Sequence, residues 1–470
     1  MLRQAPSPFL GEITESKFID LFNEKGPYYT SYPTLGLWSD EYRAKNYREG
    51  LKNLFRMEGE DVPLAIYVHI PYCAKLCWYC ICNLKITNNR KKIQKFTDYL
   101  LREIDMLRAL FEKMSISPNI KEIHLGGGTP SHLDDAQFSQ LVDGINKLVD
   151  INNLSEFAME IDPRTTSKEN LELFKEKGVS RISFGVQDFS AVVQKAINRV
   201  QPFEMVRDLL SPEIRKLFTG INFDLLYGLP KQTQDTFTRT LELVNELSPE
   251  RVTLLKYAHV PEVRRHMKMI SESDLPHINI LPSIFCHSVE YFIENGYEWI
   301  GIDNFAKKTD SLAEAASQKA IGRDFNGWNT GKAKHLIGLG PSSTSAFGSD
   351  YAQSVYGTEE YFQAIENDEF PILRGYRMTS DDLVRRGVVF DLICNQSLDF
   401  SRIGERYNLD FKQYFHDELE DLKRKFLTSG FIEYTTDELK ITYRGRFFLR
   451  NIAKTFDKYW RLKDYEITGP

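Results

Sequence analysis

Short runs of apolar, β-forming residues recur through the first half of the chain. They lie at residues 64–70, 121–125, 157–161, 181–186, 221–226 and 251–258. Each run is brief and bounded by polar or turn-forming residues, which is the pattern of a buried strand rather than of a helix. The pattern therefore predicts six strands.

Segments with helical periodicity separate the predicted strands. From Ile93 to Phe111, apolar residues recur at three- and four-residue spacing, which is typical of a helix with one apolar face. Helices are also predicted at residues 168–177, 204–217 and 234–247. Because neighbouring parallel strands need a crossover that is usually a helix, this alternation predicts βαβ units. We expect an α/β fold, an open and partial (β/α)6 TIM-like barrel with its chemistry at the C-terminal ends of the strands.

The two ends of the chain have a different pattern. Residues 26–34, GPYYTSYPT, precede the first strand and predict an ordered arm across the barrel. After about residue 370, charged amphipathic segments predict helices at 380–394, 400–427 and near 444–462, with a hairpin at 431–442. This order resembles a winged helix, but charges of both signs favour a packing or lid domain over a DNA-binding one.

These patterns divide the chain into three parts. We expect an N-terminal arm at residues 1–60 and a catalytic barrel domain with its extension at residues 61–345. A smaller, mostly helical C-terminal domain is expected at residues 346–470. A chain of 470 residues is long enough for several domains and a large core.

Composition and charge exclude several classes of protein. With 60 basic and 66 acidic residues the net charge is −6, so no overall positive charge attracts nucleic acid or an anionic membrane. The first residues lack the apolar stretch of a signal peptide, and no later segment has the roughly 20 apolar residues of a membrane span. We expect a cytoplasmic monomer with no nucleic-acid or membrane partner.

Four of the six cysteines lie within ten residues, directly after the first predicted strand. Cys73, Cys77 and Cys80 have the spacing C-x3-C-x2-C, and Cys82 follows. Three thiolates on one loop can hold three irons of a [4Fe-4S] cluster and leave the fourth iron open to a small molecule. The alternatives are a structural zinc site, which usually has paired ligand motifs, and a set of buried thiols.

The segment YVHIPYCAKLCWYCIC, residues 67–82, resembles the radical S-adenosylmethionine (SAM) superfamily. Together with the arm at residues 26–34, it more closely resembles the oxygen-independent coproporphyrinogen III oxidase family, over about residues 18–460. The resemblance implies a [4Fe-4S] cluster bound by the three cysteines of the motif, and two SAM molecules. The family's fourth cysteine is not a cluster ligand, so Cys82 is expected to be an auxiliary catalytic residue near the active site.

The resemblance also implies which residues bind SAM. The glycine-rich segment 126–130, which follows the second predicted strand, is expected to bind the methionine moiety of the first SAM. The expected cofactor-binding residues are Tyr67, Tyr79, Gly127, Gly128, Thr129, Glu160, Gln187, Arg199, Asp224, Ala258 and Thr344. Glu160 is assigned to the first SAM. The residues at the later strand ends are assigned to the second SAM, together with Tyr79, Gly128 and Thr129. Thr344 is expected to contribute a backbone contact only.

The reaction implied by the resemblance is oxidative decarboxylation of coproporphyrinogen III to protoporphyrinogen IX without dioxygen. It proceeds through a 5′-deoxyadenosyl radical in haem and porphyrin biosynthesis, so the expected partners are a tetrapyrrole substrate and an unidentified electron donor and acceptor. Arg264, Arg265 and Lys268 form a basic stretch that could meet the substrate's propionates, although a solvated surface is favoured.

Two positions depart from the family pattern. Ile81 stands where the family usually has glycine, and its side chain narrows the expected cofactor pocket. Asn304 stands where a histidine is expected. Two alternatives therefore stay open: a related radical SAM enzyme that acts on another tetrapyrrole, such as an anaerobic haem-degrading methyltransferase, and a haem-binding chaperone of the same fold. The arm and Cys82 favour the oxidase.

Five further residues receive a structural interpretation. His69, His124 and His259 lie at strand ends but lack the spacing of metal ligands, so we expect hydrogen-bonded side chains. Cys286 and Cys394 lie in apolar helical segments and are interpreted as core thiols.

Overall fold

The computed structural model of the protein describes residues 14–462. Residues 1–13, at the start of the expected arm, lie outside the described part of the chain, and so does the expectation that they form no signal peptide. Residues 463–470, at the end of the expected C-terminal domain, also lie outside it. Within the described part, no helix combines the length and the apolar composition that crossing a bilayer requires.

Six parallel strands form the centre of the fold, at the positions that the apolar runs predict. Strands β1 to β6 are Pro63–Ile70, Asn119–Gly127, Glu156–Ile161, Arg181–Gln187, Gly220–Tyr227 and Arg251–Lys256. Each strand pairs in parallel with the next. The crossover helices are Arg90–Lys113, Asp135–Asn146, Lys168–Glu176, Ala191–Ala196, Phe203–Leu209, Pro212–Arg215 and Gln234–Leu247. The α/β fold with a partial TIM-like barrel is therefore confirmed.

Side chains along the barrel strands alternate between the apolar core and the barrel interior, as the pleat of a strand requires. On β3, Phe157 and Met159 are buried in the apolar core, whereas Ala158 and Glu160 line an internal cavity. The inward-facing positions are largely polar, and the outward-facing ones are apolar. This division places the chemistry of the molecule inside the barrel.

The sheet extends beyond the barrel on both sides, which the apolar runs do not predict. The added strands, together with one separate hairpin, are β7 Tyr297–Ile300, β8 Asn304–Lys307, β9 Gly322–Asp324, β10 Gly327–Asn329, β11 His335–Leu339, β12 Thr344–Phe347, β13 Asp350–Ser354 and β14 Ile372–Arg377. The order of the main sheet is β14-β13-β12-β11-β1-β2-β3-β4-β5-β6-β8-β7. Strand β11 is parallel to β1, and β12 to β14 continue the sheet in antiparallel fashion.

The expected domain boundary at residue 345 lies inside β12, and the sheet continues as far as Arg377. A division there would cut a hydrogen-bonded strand. We propose that the C-terminal domain begins near residue 378 instead, where the last strand of the large sheet ends.

The C-terminal region consists of short helices around a small sheet. Its elements are the helices Ser380–Asn395, Phe400–Tyr407, Phe411–Tyr414, His416–Leu422, Leu449–Ala453 and Lys458–Leu462 and the strands β15 Ser397–Asp399, β16 Ile432–Tyr434 and β17 Glu438–Ile441. The predicted hairpin is present as β16 and β17. The remaining helices of the chain are Glu15–Asn23, Ala44–Glu58, Leu281–Glu294, Ser311–Ser317 and Thr358–Glu366.

Three predicted helices are divided in the structure, at 204–217, 400–427 and 444–462, and the first two divisions have a local cause. The segment 204–217 breaks before Pro212, because proline disfavours helical backbone at the preceding Ser211, whose ψ is 157°. The segment 400–427 breaks at Asn408, which adopts a left-handed backbone with φ of 53°. Asp410 then caps the next short helix by accepting a hydrogen bond from the backbone N–H of Gln413.

The N-terminal arm lies between the large sheet and the C-terminal segment. The Tyr29 hydroxyl donates to Asp457 Oδ2 at 2.9 Å, and the backbone N–H of Lys458 donates to the Tyr32 hydroxyl at 3.2 Å. On the other side, the hydroxyl of Tyr351 in β13 donates to the Tyr32 carbonyl at 3.3 Å. The ordered arm is therefore held by contacts with both later parts of the chain.

Glu103, on the inner face of the helix Arg90–Lys113, is a buried carboxyl without a basic partner among the described residues. Its Oε2 accepts hydrogen bonds from the backbone N–H of Gly340 and from the Tyr361 hydroxyl, each at 2.7 Å. Burial raises its pKa to about 7, although the two hydrogen bonds oppose this effect. The helix is thus anchored to the barrel by a group that prefers to be neutral.

Replacement of Glu103 by glutamine should remove a pH dependence of the stability. The folded pKa of about 7 exceeds the ordinary value of 4.5, so the carboxyl's stabilising contribution is complete below pH 4.5 and is lost as the pH rises through 7. Between about pH 5 and 7 we expect the wild type to lose about 2 kcal/mol of unfolding free energy relative to Glu103→Gln. Urea unfolding of both apoproteins at the two pH values measures this change, and a constant difference would contradict it.

Candidate active site

A cavity of about 800 Å³ occupies the interior of the barrel. The polar residues of the barrel strands that line it are Glu122, His124, Glu156, Glu160, Arg181, Ser183, Gln187, Asn222, Asp224, Arg251, Thr253 and Lys256. Its wall also includes cysteines of the loop after β1, the arm residues Tyr28 and Thr30, and the segment 323–330. A cavity of this size with convergent polar groups is typical of a ligand site, and its position agrees with the C-terminal strand ends that barrel enzymes use.

The three cysteines of the C-x3-C-x2-C motif line this cavity together. Cys73 and Cys77 are buried, and Cys80 is partly buried. The Thr129 hydroxyl donates to Cys73 Sγ at 3.1 Å. Burial raises the pKa of Cys73 to about 12, so at neutral pH this thiol loses its proton when a cation binds it.

Two arginines lie beside the second cysteine of the motif. Arg164 Nη2 is 3.3 Å and Arg199 Nη1 is 3.5 Å from Cys77 Sγ. Both guanidiniums also contact Asp162, and their charges outweigh its burial and hold its pKa at about 2. A thiolate at Cys77 therefore has cationic hydrogen-bond donors beside it, whose charge is balanced by one buried carboxylate.

The residues at this loop fit a [4Fe-4S] cluster. Within residues 14–462, no group of three or more His, Cys, Asp or Glu side chains could hold a single metal ion. A cluster makes a different demand, because each cysteine binds a different iron and the sulfurs lie farther apart than the ligands of one ion. Three unpaired cysteines around one cavity, with donors to their sulfurs, meet that demand.

The glycine-rich segment after β2 is shaped by close contacts. Gly127 has a φ of +108°, and a Cβ there would lie 2.5 Å from the His69 ring. A Cβ at Gly128 would lie 2.9 Å from the carbonyl of Ile70. Side chains are therefore excluded, and backbone groups face the cavity. The predicted cofactor residues Gly127, Gly128 and Thr129 all line it.

Glu160 connects β3 to this segment. Its Oε2 accepts the backbone N–H of Gly127 at 3.1 Å, and its Oε1 lies 3.3 Å from His124 Nε2. Burial lowers the pKa of His124, but the hydrogen bond and charge of Glu160 outweigh burial, and the net shift is upward. Glu160 therefore faces the cavity in an orientation that these hydrogen bonds fix.

The residues expected at the later strand ends also line the cavity, namely Tyr79, Gln187, Arg199, Asp224 and Ala258. Asp224 accepts hydrogen bonds from Ser183 at 2.9 Å and from Asn222 at 2.8 Å, and burial raises its pKa to about 6. Gln187 has a left-handed backbone with φ of 65°, a conformation that often marks a functional position. The structure thus brings these five predicted residues to one cavity.

Two predicted cofactor residues do not line the cavity. The Tyr67 hydroxyl lies 3.2 Å from His69 Nδ1, and its ring stacks on His124. The carbonyl of Thr344 lies against Gly338 on the neighbouring strand β11. Tyr67 therefore lies behind the lining residues and contacts the two histidines and Gly126.

The positions that depart from the family pattern both lie at the cavity. Ile81 lines it with a side chain that is 43% exposed, so this residue extends outward as well as inward. Asn304 is buried, accepts a hydrogen bond from Thr253 at 3.3 Å and donates to Asp303 at 3.0 Å. Cys82 lines the cavity and is exposed, and its hydrogen bond lowers the pKa of Cys80 to about 7.

Sequence reasoning missed several residues of the site, notably Asp162, Arg164, Lys256, Tyr28 and Thr30. Asp162 and Arg164 directly follow β3. Their position at the C-terminal end of a barrel strand could have indicated that they belong to the site. The two arm residues had no local signal, because only the folded arm brings them to the cavity.

The other interpretations of single residues agree with the contacts. His69 Nε2 lies 2.9 Å from the carbonyl of Asn83, and His259 Nδ1 lies 2.9 Å from the Tyr257 hydroxyl. Cys286 and Cys394 are buried free thiols, and burial raises the pKa of each. These four residues are therefore structural in this fold.

The fold and the three-cysteine loop define a radical SAM protein. The family model of the radical SAM superfamily matches residues 67–244, and that of the HemN C-terminal domain matches residues 378–448. A protein of this class uses a [4Fe-4S] cluster and S-adenosylmethionine.

Comparison with curated proteins narrows the class to one family. The chain is 35% identical over 445 residues to the oxygen-independent coproporphyrinogen III oxidase of Escherichia coli K12, covering 95% of both chains. It is 33% identical over 441 residues to the protein of the same name from Helicobacter pylori 26695, covering 94% of this chain and 95% of that one. The solved structure of coproporphyrinogen III oxidase (HemN) from E. coli matches with a TM-score of 0.86 at 35% identity, covering 92% of this chain and 97% of that chain. The chain belongs to the oxygen-independent coproporphyrinogen III oxidase family.

Proposed function

We propose that this protein converts coproporphyrinogen III to protoporphyrinogen IX by oxidative decarboxylation of two propionate side chains, without dioxygen. The observation that carries the proposal is the full-length similarity to oxidases of that name, combined with three free cysteines around one polar cavity. The C-terminal match and the ordered arm support the oxidase over more distant radical SAM enzymes.

The chain's own residues have three tasks in this reaction. When bound, the cluster and SAM together supply an adenosyl radical that removes a hydrogen atom from the propionate carbon. Cys73, Cys77 and Cys80 hold the cluster, while Gly127 and Glu160 orient the first SAM. The barrel walls keep water from the reacting carbon. Loss of CO2 and of one electron to an external acceptor then leaves the vinyl group.

The residues of a second SAM site belong to the same proposal. Tyr79, Gln187, Arg199, Asp224 and Ala258 line the cavity on the side of the later strands. Their polar groups can meet a ribose or an amino-acid moiety, since Asp224 accepts and Arg199 donates hydrogen bonds. In this proposal Tyr67 and Thr344 support the residues that line the cavity, and Cys82 is an auxiliary catalytic residue near the substrate.

A monomer in the cytoplasm is also part of the proposal. The support for the cytoplasm is the state of the cysteines, because all six are free thiols. Reducing compartments keep thiols in this state and suit an oxygen-sensitive cluster. Electron donor and acceptor are expected to be separate proteins or small molecules.

An anaerobic assay tests the proposed reaction. Reconstituted protein is incubated with SAM, dithionite and coproporphyrinogen III, and the porphyrins are separated after oxidation. We expect protoporphyrin to accumulate together with 5′-deoxyadenosine. Cleavage of SAM without any decarboxylated product would instead favour a related enzyme for another tetrapyrrole. Stable haem binding without SAM cleavage would favour a chaperone.

A further inference from the structure

Charges in the cavity are segregated. Most of the carboxylates lie along the barrel strands. The arginines that line the cavity are paired with carboxylates: Arg181 and Arg251 with Asp310, Arg164 and Arg199 with Asp162, and Arg323 with Asp303. At the strand ends the balance of charges is different, because Lys256 lines the cavity without an acidic partner among the described residues. The part of the cavity near the arm therefore has uncompensated positive charge.

Lys256 is the last residue of β6 and contacts the first helix, Glu15–Asn23. Its Nζ donates to Asn23 Oδ1 at 3.0 Å and lies 5.7 Å from the centre of the Phe22 ring. No carboxylate of residues 14–462 lies within ion-pair distance of it. Glu24, which follows Asn23 in the chain, is already bound by Lys454 and Asn451. A half-buried ammonium without a counterion is destabilising unless a ligand supplies one.

A second cation stands behind the arm. The guanidinium of Arg450 lies 4.3 Å from the centre of the Tyr28 ring, and its Nη1 donates to the carbonyl of Gly26 at 3.3 Å. It also forms no ion pair within the described chain, and Tyr28 separates it from the cavity. Burial and the nearby charge of Arg450 together lower the pKa of Lys256 to about 8. The two cations therefore interact with each other and not with an acid.

We propose that Lys256, supported by Arg450 through Tyr28, forms a subsite for a carboxylate of the substrate, specifically a propionate that is not the reacting one. This inference rests on the proposed function. An ammonium provides up to three donors to a carboxylate, and Tyr28 and Thr30 of the arm also line the cavity. The arm, Lys256 and the C-terminal segment then act together in orienting the macrocycle.

The basic stretch expected from the sequence is a weaker candidate for this role. Arg264 Nε donates to the carbonyl of Ile81 at 2.9 Å, so this side chain supports the cysteine loop. Arg265 and Lys268 are exposed, and none of the three lines the cavity. Lys268 therefore provides a matched control, being a lysine near the site but outside the cavity.

The test is a binding titration with coproporphyrin III, the stable oxidised form of the proposed substrate, followed by quenching of its fluorescence on reconstituted protein under anaerobic conditions. Lys256→Met removes the charge and keeps much of the chain length. We expect it to weaken binding about tenfold, as the loss of one charge-assisted contact implies. Lys256→Arg and Lys268→Met should bind within about twofold of the wild type.

The tetramethyl ester of coproporphyrin III has no carboxylates. It therefore separates the contribution of the carboxylates to binding from that of the macrocycle. Its affinity should be the same for the wild type and Lys256→Met. If the wild type prefers the free acid but Lys256→Met binds it equally well, the subsite is wrong while the proposed function stands. If the wild type binds neither porphyrin, the result contradicts both the Lys256 subsite and the proposed function. Iron content and thermal unfolding of Lys256→Met show that a weak affinity does not reflect misfolding.

Discussion

Cys77→Ala is expected to lose the iron–sulfur cluster and all SAM cleavage. Cys77 is buried in the cavity with Arg164 and Arg199 beside its sulfur, and no other described cysteine can take its place on that side. Without this thiolate only two ligands of the motif remain, which is too few for a cluster that already leaves one iron open. Iron and sulfide content, visible absorbance and formation of 5′-deoxyadenosine measure the effect.

Two other cysteines serve as controls for this result. Cys286→Ala removes a thiol from the apolar core, and Cys82→Ala removes the exposed one beside Cys80. Both variants should keep a full complement of iron and sulfide. A cluster retained by Cys77→Ala, or lost in Cys82→Ala, would refute the assignment of the ligands.

Asp310→Ala is expected to cost about 3–5 kcal/mol of unfolding free energy, the range for breaking a buried ion pair. Asp310 is 4% exposed and accepts hydrogen bonds from Arg181 Nη2 at 2.9 Å and from Arg251 Nε at 2.6 Å. Its removal leaves two buried guanidiniums that share Glu156 alone. Asp310 also caps the helix Ser311–Ser317, so the loss of the cap acts in the same direction.

An exposed ion pair gives the matched comparison. Asp368 lies 3.7 Å from Arg102, and its side chain is 85% exposed. Asp368→Ala should therefore change the unfolding free energy by less than about 1 kcal/mol. Urea unfolding of both apoproteins at neutral pH decides the matter, and equal losses in the two variants would contradict a buried network at the base of the barrel.

The barrel strands could be predicted because each carries an unbroken or alternating apolar signal. The added strands could not. Strand β13, Asp350–Ser354, is entirely buried yet contains Asp350 and Gln353, whose side chains accept hydrogen bonds from residues outside the strand. Asp350 accepts hydrogen bonds from Arg377 and from Tyr42. A polar strand that is buried through tertiary partners has no local hydrophobic pattern.

The candidate site could be predicted where a characteristic sequence motif directly follows a predicted strand. The cysteine spacing and the glycine-rich segment are local signals, and nine of the eleven expected SAM residues line the cavity, all except Tyr67 and Thr344. Lys256 had no such signal, because a lysine at a strand end is ordinary until the arm and the C-terminal segment are placed around it. Its significance depends on the absence of an acid nearby, which only tertiary structure reveals.

The contacts of the arm also set an order in which the molecule can be completed during synthesis. Tyr29 and Tyr32 leave the ribosome early, but their partners Asp457 and Lys458 are made more than 400 residues later. Until then the arm lacks its contacts with the C-terminal segment and has contacts with the large sheet alone, such as the hydrogen bond from Tyr351 to the Tyr32 carbonyl. The contacts that tie the arm to the C-terminal segment are thus among the last tertiary contacts that can form as the chain is made.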